Sequence, residues 1–317
     1  MRLLLIVNPT ASSMTPRRRV RVQHLLGGHH RLEVAETYRR GHATRLARTA
    51  AKDGIDVVVV AAGDGTLNEA ADGLIGTETA LAPLPGGSTN VFARTLGVPN
   101  SIIPATEQLM ASLDARSFQR VGVGAANGRH FLFHLGAGFD ADVIAQVERR
   151  HWVKRWLAHP VFAVTAATTF LHGFDREQPA YRVEAADGTP IADGYFAIVS
   201  NTKPYAFFGP RPLLVTNDAG LDRALALTMF TRLEVAPTIA AIGSALATGR
   251  RLSKNDAVLQ RADVDALTFV ACQGPFPWQV DGDYLGEVER LEVRYVPDCL
   301  TLVVPRPRPG SKETGAT

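Results

Sequence analysis

Two glycine-bearing strings carry residue types and spacings suited to phosphate chemistry. The first is Ala62-Gly63-Asp64-Gly65-Thr66-Leu67-Asn68-Glu69, and the second is Leu84-Pro85-Gly86-Gly87-Ser88-Thr89-Asn90. Each follows an apolar run and precedes a helical pattern, with the first helix expected to begin near Leu67. Backbone amides at a helix start lack intrahelical partners and attract anions. Gly63 and Gly65 are expected to allow positive φ and to let a phosphate approach the backbone closely. Asp64 would repel such a ligand unless a divalent cation or a transferred proton stood between them. In the second string Ser88 and Thr89 supply hydroxyls of the kind that cap helices. A third string, Asn8-Pro9-Thr10-Ala11-Ser12, places small polar groups after the first apolar run.

These strings can act together only if the elements before them end at one edge. The apolar runs Leu3–Val7, Asp56–Ala61 and Ala80–Leu84 are continuous, and the second is rich in β-branched valine and followed by glycine. Such runs fit strands buried on both faces. Between them lie helix patterns, one opened by Thr15-Pro16 and one over His42–Asp53. Strand, helix, strand, helix in this order predicts a parallel α/β sheet, whose ligands bind at the carboxyl ends of the strands.

After about Arg120 the pattern changes. Tyr181–Ala185 and Tyr195–Ser200 flank an Asp187-Gly188 turn signal, and Ala224–Phe230 and Leu267–Ala271 read as further strands. Leu291, Val293 and Tyr295 alternate with Glu292 and Arg294, the signature of a half-buried antiparallel strand. Helical stretches are expected at about Asp140–Leu171 and Val235–Thr248. The expected organisation is an α/β nucleotide domain over 1–122, a β-rich domain over 123–305 and a flexible tail over 306–317.

The order and spacing of these strings resemble the diacylglycerol kinase catalytic-domain family, which includes bacterial lipid kinases and sphingosine kinases. The resemblance extends to Gly136-Ala137-Gly138-Phe139-Asp140, Ser200-Asn201, Asp218-Ala219-Gly220-Leu221-Asp222 and Asp281-Gly282-Asp283. It implies a parallel-sheet nucleotide domain and a β-rich, sandwich-like lipid domain, with ATP and Mg2+ in a cleft between them. It implies that Asn8, Pro9, Thr10, Ala11, Ser12, Thr37, Ala62, Gly63, Asp64, Gly65, Thr66, Leu67, Asn68 and Ser88 contact ATP. It implies a Mg2+ site at Asp218 with the main-chain oxygens of Val215 and Gly220, ligands that suit a hard cation. The reaction would be transfer of the γ-phosphoryl group to a lipid hydroxyl, with a diacylglycerol-like acceptor.

The family's catalytic carboxylate lies in an Asp-Gly-Glu turn. Here the turn is Asp281-Gly282-Asp283, so Asp283 is the positional match and Asp281 the neighbour able to share or take over the role. Aspartate reaches roughly 1.5 Å less far than glutamate, about one carbon–carbon bond. Ala62 stands where the family has a first glycine, which a methyl tolerates at negative φ. Ala219 stands where a glycine follows the metal aspartate.

Composition narrows the remaining classes. With 46% hydrophobic and 21% charged residues over 317 positions, a sizeable core forms without staples. Two cysteines, Cys272 and Cys299, fit neither a zinc site nor a disulfide framework. The opening run is too short for a signal peptide or span, and Trp156–Phe170 is too polar for one, so a cytoplasmic protein peripheral to the inner membrane face is expected. Arginines cluster at Arg17–Arg21, Arg39–Arg40 and Arg149–Arg155, suited to ATP phosphates or anionic lipid headgroups. No zinc-finger spacing, basic heptad region or RNA-binding aromatic signature is present, so no nucleic-acid partner is expected. The expected partner is a lipid substrate at a membrane surface, with a homodimer left open. A NAD kinase-like enzyme shares the Gly-Asp-Gly turn, and a non-catalytic lipid- or nucleotide-binding regulator is the third reading.

Overall fold

The structure is a computed structural model that describes residues 1–11, 13–138, 178–209, 211–232 and 255–305. Ser12, Phe139, Asp140, the helical stretches expected at Asp140–Leu171 and Val235–Thr248, and the tail over 306–317 lie outside the described residues. Contacts divide the chain into two compact units, Met1–Val121 with Cys299–Thr317, and Gly122–Asp298.

The first unit alternates strands and helices: β1 (Arg2–Val7), α1 (Pro16–Gly27), β2 (Arg31–Glu36), α2 (His42–Lys52), β3 (Val57–Ala62), α3 (Asp64–Leu74), β4 (Ala80–Pro85), α4 (Val91–Thr95) and α5 (Ile102–Asp114). The strands pair in parallel in the order β2-β1-β3-β4. Every residue of β3 and β4 is buried, which explains their unbroken apolar character. Edge strand β2, with the sequence RLEVAE, has three exposed and three partly buried residues and none fully buried. It lacks the apolar run that marks its neighbours, and the sequence reading missed it. Thr15 caps α1 and Pro16 opens it, as the Thr-Pro pair predicts; Val22 and Leu26 are its buried face.

The second unit contains β6 (Arg129–Phe131), β7 (His134–Gly138), β8 (Tyr181–Ala185), β9 (Pro190–Gly194), β10 (Phe196–Ser200), β11 (Ala206–Phe208), β12 (Arg211–Leu213), β13 (Leu225–Phe230), β14 (Val258–Val264), β15 (Ala266–Ala271), β16 (Phe276–Val280) and β17 (Asp283–Val288). Strands β5 (Phe118–Ala126) and β18 (Arg290–Val303) each run through both units. One sheet has the antiparallel order β14-β13-β10-β7-β16-β17. Opposite it, β9, β8, β15 and the first part of β18 pair antiparallel. Leu135, Ala137, Val199, Leu227 and Trp278 from the first sheet share one core with Tyr181, Phe269 and Leu291 from the second. That is a sandwich, as the resemblance implies, and its strands are antiparallel, as the alternating pattern predicts. Strand β9 went unread because Pro190 and Gly194 disfavour strands; at the sheet edge a proline leaves no ladder bond unmade.

The last residues of β18 return to the first unit, where Leu302 lies parallel beside Leu81 of β4. Cys299 is buried there, while Cys272 is exposed, and neither is in a disulfide. Among the described residues, no helix is long and apolar enough to cross a membrane.

Candidate functional site

The parallel sheet brings the first unit's site residues to one edge. Asn8 follows β1, Thr37 follows β2, Ala62 ends β3 and Gly86 follows β4, so all four positions lie at carboxyl ends of strands. Backbone bonds tie them together. The Thr37 amide donates to the Val7 carbonyl at 3.0 Å, the Gly86 amide to Ala62 at 3.0 Å, and the Ser13 amide to Gly86 at 3.0 Å. The Asn8 Oδ1 accepts from the Thr10 amide at 3.0 Å and the Thr10 hydroxyl at 2.8 Å, which fixes the first turn. Ser12 lies outside the described residues, and Pro9, Thr10 and Ser88 are exposed.

The glycines act through size, which corrects the expected positive φ. Neither Gly63 nor Gly65 is in the left-handed region. A Cβ on Gly87 would stand 2.7 Å from the Gly63 Cα, and one on Gly86 would stand 2.6 Å from the Ala62 nitrogen. The two turns therefore touch backbone to backbone. A Cβ on Gly65 would meet nothing within 4 Å, so this part of the turn faces open space. Ala62 is an ordinary strand residue, and its methyl is accommodated.

Helix α3 begins at Asp64, three residues before the expected Leu67. Gly63 is its N-cap and supplies no side chain to the first-turn amides, while Leu67 and Asn68 are buried. Asp64 instead reaches across. Its carboxylate accepts from the Val91 amide at 2.9 Å and the Phe92 amide at 3.2 Å, and also from Thr89. It thereby caps α4, while Asn90, at φ 50°, closes the turn through Gly87. Asp64 keeps some exposed surface, but its carboxylate is enclosed, and burial pushes its pKa up against the lowering effect of those bonds. Glu69 makes a similar reach, accepting from the Ala43 amide of α2 at 3.3 Å. Sequence reading missed Thr89 and Glu69 as positioning groups; their partners lie 25 and 26 positions away.

In the second unit Asp281 and Gly282 form a two-residue hairpin turn between Val280 and Asp283, both at positive φ. This is the primed geometry that Asp-Gly favours. The Asp281 carboxylate accepts from the Leu132 amide at 2.8 Å, the Phe133 amide at 2.9 Å and the His134 amide at 3.0 Å. Its own amide donates to the His134 carbonyl at 2.9 Å. Asp281 is thus an anchor between the hairpin and the start of β7. Asp283 opens β17 and is half-buried.

Two members of the expected metal set, the Val215 and Gly220 carbonyls, already accept hydrogen bonds. The Val215 carbonyl accepts from Gln260 Nε2 at 2.9 Å and from the Thr228 hydroxyl at 3.5 Å. A carbonyl has two lone pairs, and both face donors here. Asp218 is exposed, with Arg223 at 3.8 Å, and the Gly220 carbonyl accepts from the Arg223 amide at 3.3 Å. Among the described residues no group of three or more His, Cys, Asp or Glu side chains is placed to hold a metal ion. Neighbouring His134 is buried against the Tyr205 ring, centroids 4.1 Å apart, with Nδ1 unpartnered. Burial lowers its pKa to about 3, so it is a neutral imidazole.

A parallel-sheet unit with paired glycine turns, joined to a β-sandwich, is the frame of a diacylglycerol kinase-type fold. Residues 2–119 match the family model described as the diacylglycerol kinase catalytic domain. A "Probable lipid kinase YegS-like" of Chromohalobacter salexigens is 39% identical over 37% of this chain and 37% of its own length. A "Diacylglycerol kinase" of Bacillus subtilis is 36% identical over 31% of this chain and 32% of its own. The chain thus aligns with well under half the length of these curated relatives. The crystal structure of a putative diacylglycerol kinase from Bacillus anthracis str. Sterne shares the fold across 96% of this chain and 95% of that one, with TM-score 0.75 and 23% identity. The resemblance read from the motifs and the two-part fold class are both borne out.

Proposed function

We propose that this chain is a lipid kinase that transfers the γ-phosphoryl group of ATP, taken up with Mg2+, to the hydroxyl of a diacylglycerol-like lipid at a membrane surface. The observation that carries this reading is the shared edge of the parallel sheet, where Asn8, Thr37, the α3 start and the Gly86-Gly87-Ser88 turn meet. The amides at the start of α3 have no side-chain cap and face open space at Gly65. That supports a phosphate there, held by Gly63, Gly65, Thr66 and Ser88. Asp64 takes part by fixing the two turns against each other.

Phosphoryl transfer needs an acceptor for the hydroxyl proton and neutralisation of charge on the transferred group. Asp283 is assigned as the proton acceptor. Asp281 has its oxygens committed to three backbone amides, so its role is to hold the turn. Mg2+ bound with the nucleotide would supply that neutralisation. Asp218 is the one proposed ligand with an exposed carboxylate, and no step is assigned to Val215.

The test is kinase assay of the purified chain with γ-labelled ATP, Mg2+ and vesicles containing diacylglycerol, phosphatidylglycerol or a sphingoid base, with NAD as a parallel acceptor. Label in an organic-soluble product, absent with EDTA, is the expected result. Label in NAD alone, or in nothing while the protein is folded, overturns it.

A further inference from the structure

Tyr38 is the most exposed large hydrophobic among the described residues, at 75%. It is also held at three points. Its amide lies 3.3 Å from His42 Nδ1, its hydroxyl donates to Glu36 Oε2 at 3.1 Å, and its ring sits 5.9 Å from the His42 ring at 32°. Glu36 is itself paired with Arg19 of α1. A surface tyrosine normally keeps its rotamer freedom, because fixing it costs entropy and buries little. Here the ring is fixed while its surface stays in water, so folding gains little from it. Such an arrangement suits a ligand that covers the ring later.

Its place in the sheet says what that ligand is. Tyr38 directly follows Thr37, whose amide is bound to the end of β1. The strand order β2-β1-β3 sets Tyr38 two strands from the α3 start, a distance of about 10 Å at the usual strand spacing. That separation matches the reach of a nucleoside triphosphate from its terminal phosphates to its base. The flat apolar body of a tyrosine takes the face of a purine, and such stacking tolerates any base with a π-face.

We propose that Tyr38 is the stacking platform for the nucleobase of the phosphoryl donor, pre-set by His42, Glu36 and Arg19. This rests on the nucleotide reading of the sheet edge. The test is calorimetric titration of the full chain and of Tyr38→Ala and Tyr38→Phe with ATP, GTP, CTP and inorganic tripolyphosphate, each with Mg2+. Tyr38→Ala is expected to weaken ATP and GTP about tenfold or more, CTP less, and tripolyphosphate not at all. Tyr38→Phe, which keeps the ring, stays within a few-fold of wild type. Equal loss for ATP and tripolyphosphate, or no loss for ATP, overturns the platform while leaving the nucleotide site standing. Failure of wild type to bind ATP overturns the nucleotide reading and the platform together.

Discussion

At the scale of single residues, the structure separates two aspartates that look equivalent in the chain. Asp281 anchors three amides and Asp283 anchors none of those three. Asp283→Asn is expected to lower turnover by 10² to 10⁴, the usual worth of a general base. Asp281→Ala is expected to cost about 3 kcal/mol of stability, because it strips buried amides of a charged acceptor. Chemical denaturation beside the kinase assay checks both. His134 makes a prediction about pH. Its folded pKa of about 3 lies below the unfolded 6.5, so its neutral form supports folding fully above pH 6.5. That support is lost as pH falls from 6.5 towards 3. Between pH 7.5 and 5.0 wild type should lose about 2 kcal/mol more than His134→Phe, measured as the change in urea unfolding free energy. Equal losses in both proteins would contradict the neutral buried imidazole. Which residue types could act was legible in the sequence. What each touches was not, since the bonds of Asp64 and Asp281 cross 27 and about 150 positions.

At the scale of elements, two glycine contacts set the distances between parts of the site. Gly86→Ala puts a Cβ against the Ala62 backbone, which has nowhere to go within a paired strand. Overpacking of this kind costs roughly 1–3 kcal/mol, and ATP affinity should fall with it. Gly73→Ala is a control. Its Cβ would meet the Thr44 carbonyl at 2.4 Å and pry α3 from α2, away from the turns. Thermal melts and ATP titration of both variants separate stability from binding. Removing the α4 cap by Asp64→Ala should cost about 1–2 kcal/mol and weaken ATP, with the loss read by the same pair of measurements. The buried central strands were readable because burial on both faces leaves an unbroken apolar run. Strands β2 and β9 were not, because edges tolerate charge, proline and glycine. The start of α3 was misplaced by one turn, since Asp64-Gly65-Thr66 reads as loop until Gly63 is seen to cap it.

At the scale of the whole chain, the order of motifs predicted an α/β unit followed by a β-rich one, and the two units have those folds. The return of Cys299 and the residues after it to the first unit depends on a pairing with β4 more than 200 positions earlier, which no local pattern encodes. The family match covers residues 2–119, the stretch that holds both glycine turns. The acceptor end of the reaction rests on Asp283 and its surroundings, so the decisive measurement must read the acceptor. The 317-residue chain is incubated with γ-labelled ATP, Mg2+ and diacylglycerol-containing vesicles, and the label in the lipid phase is compared for wild type and Asp283→Asn. The account predicts labelled phosphorylated lipid from wild type and a loss of at least 10² in the variant. Labelling by the variant at the wild-type rate, or none from a folded wild type with any lipid hydroxyl offered, would contradict it.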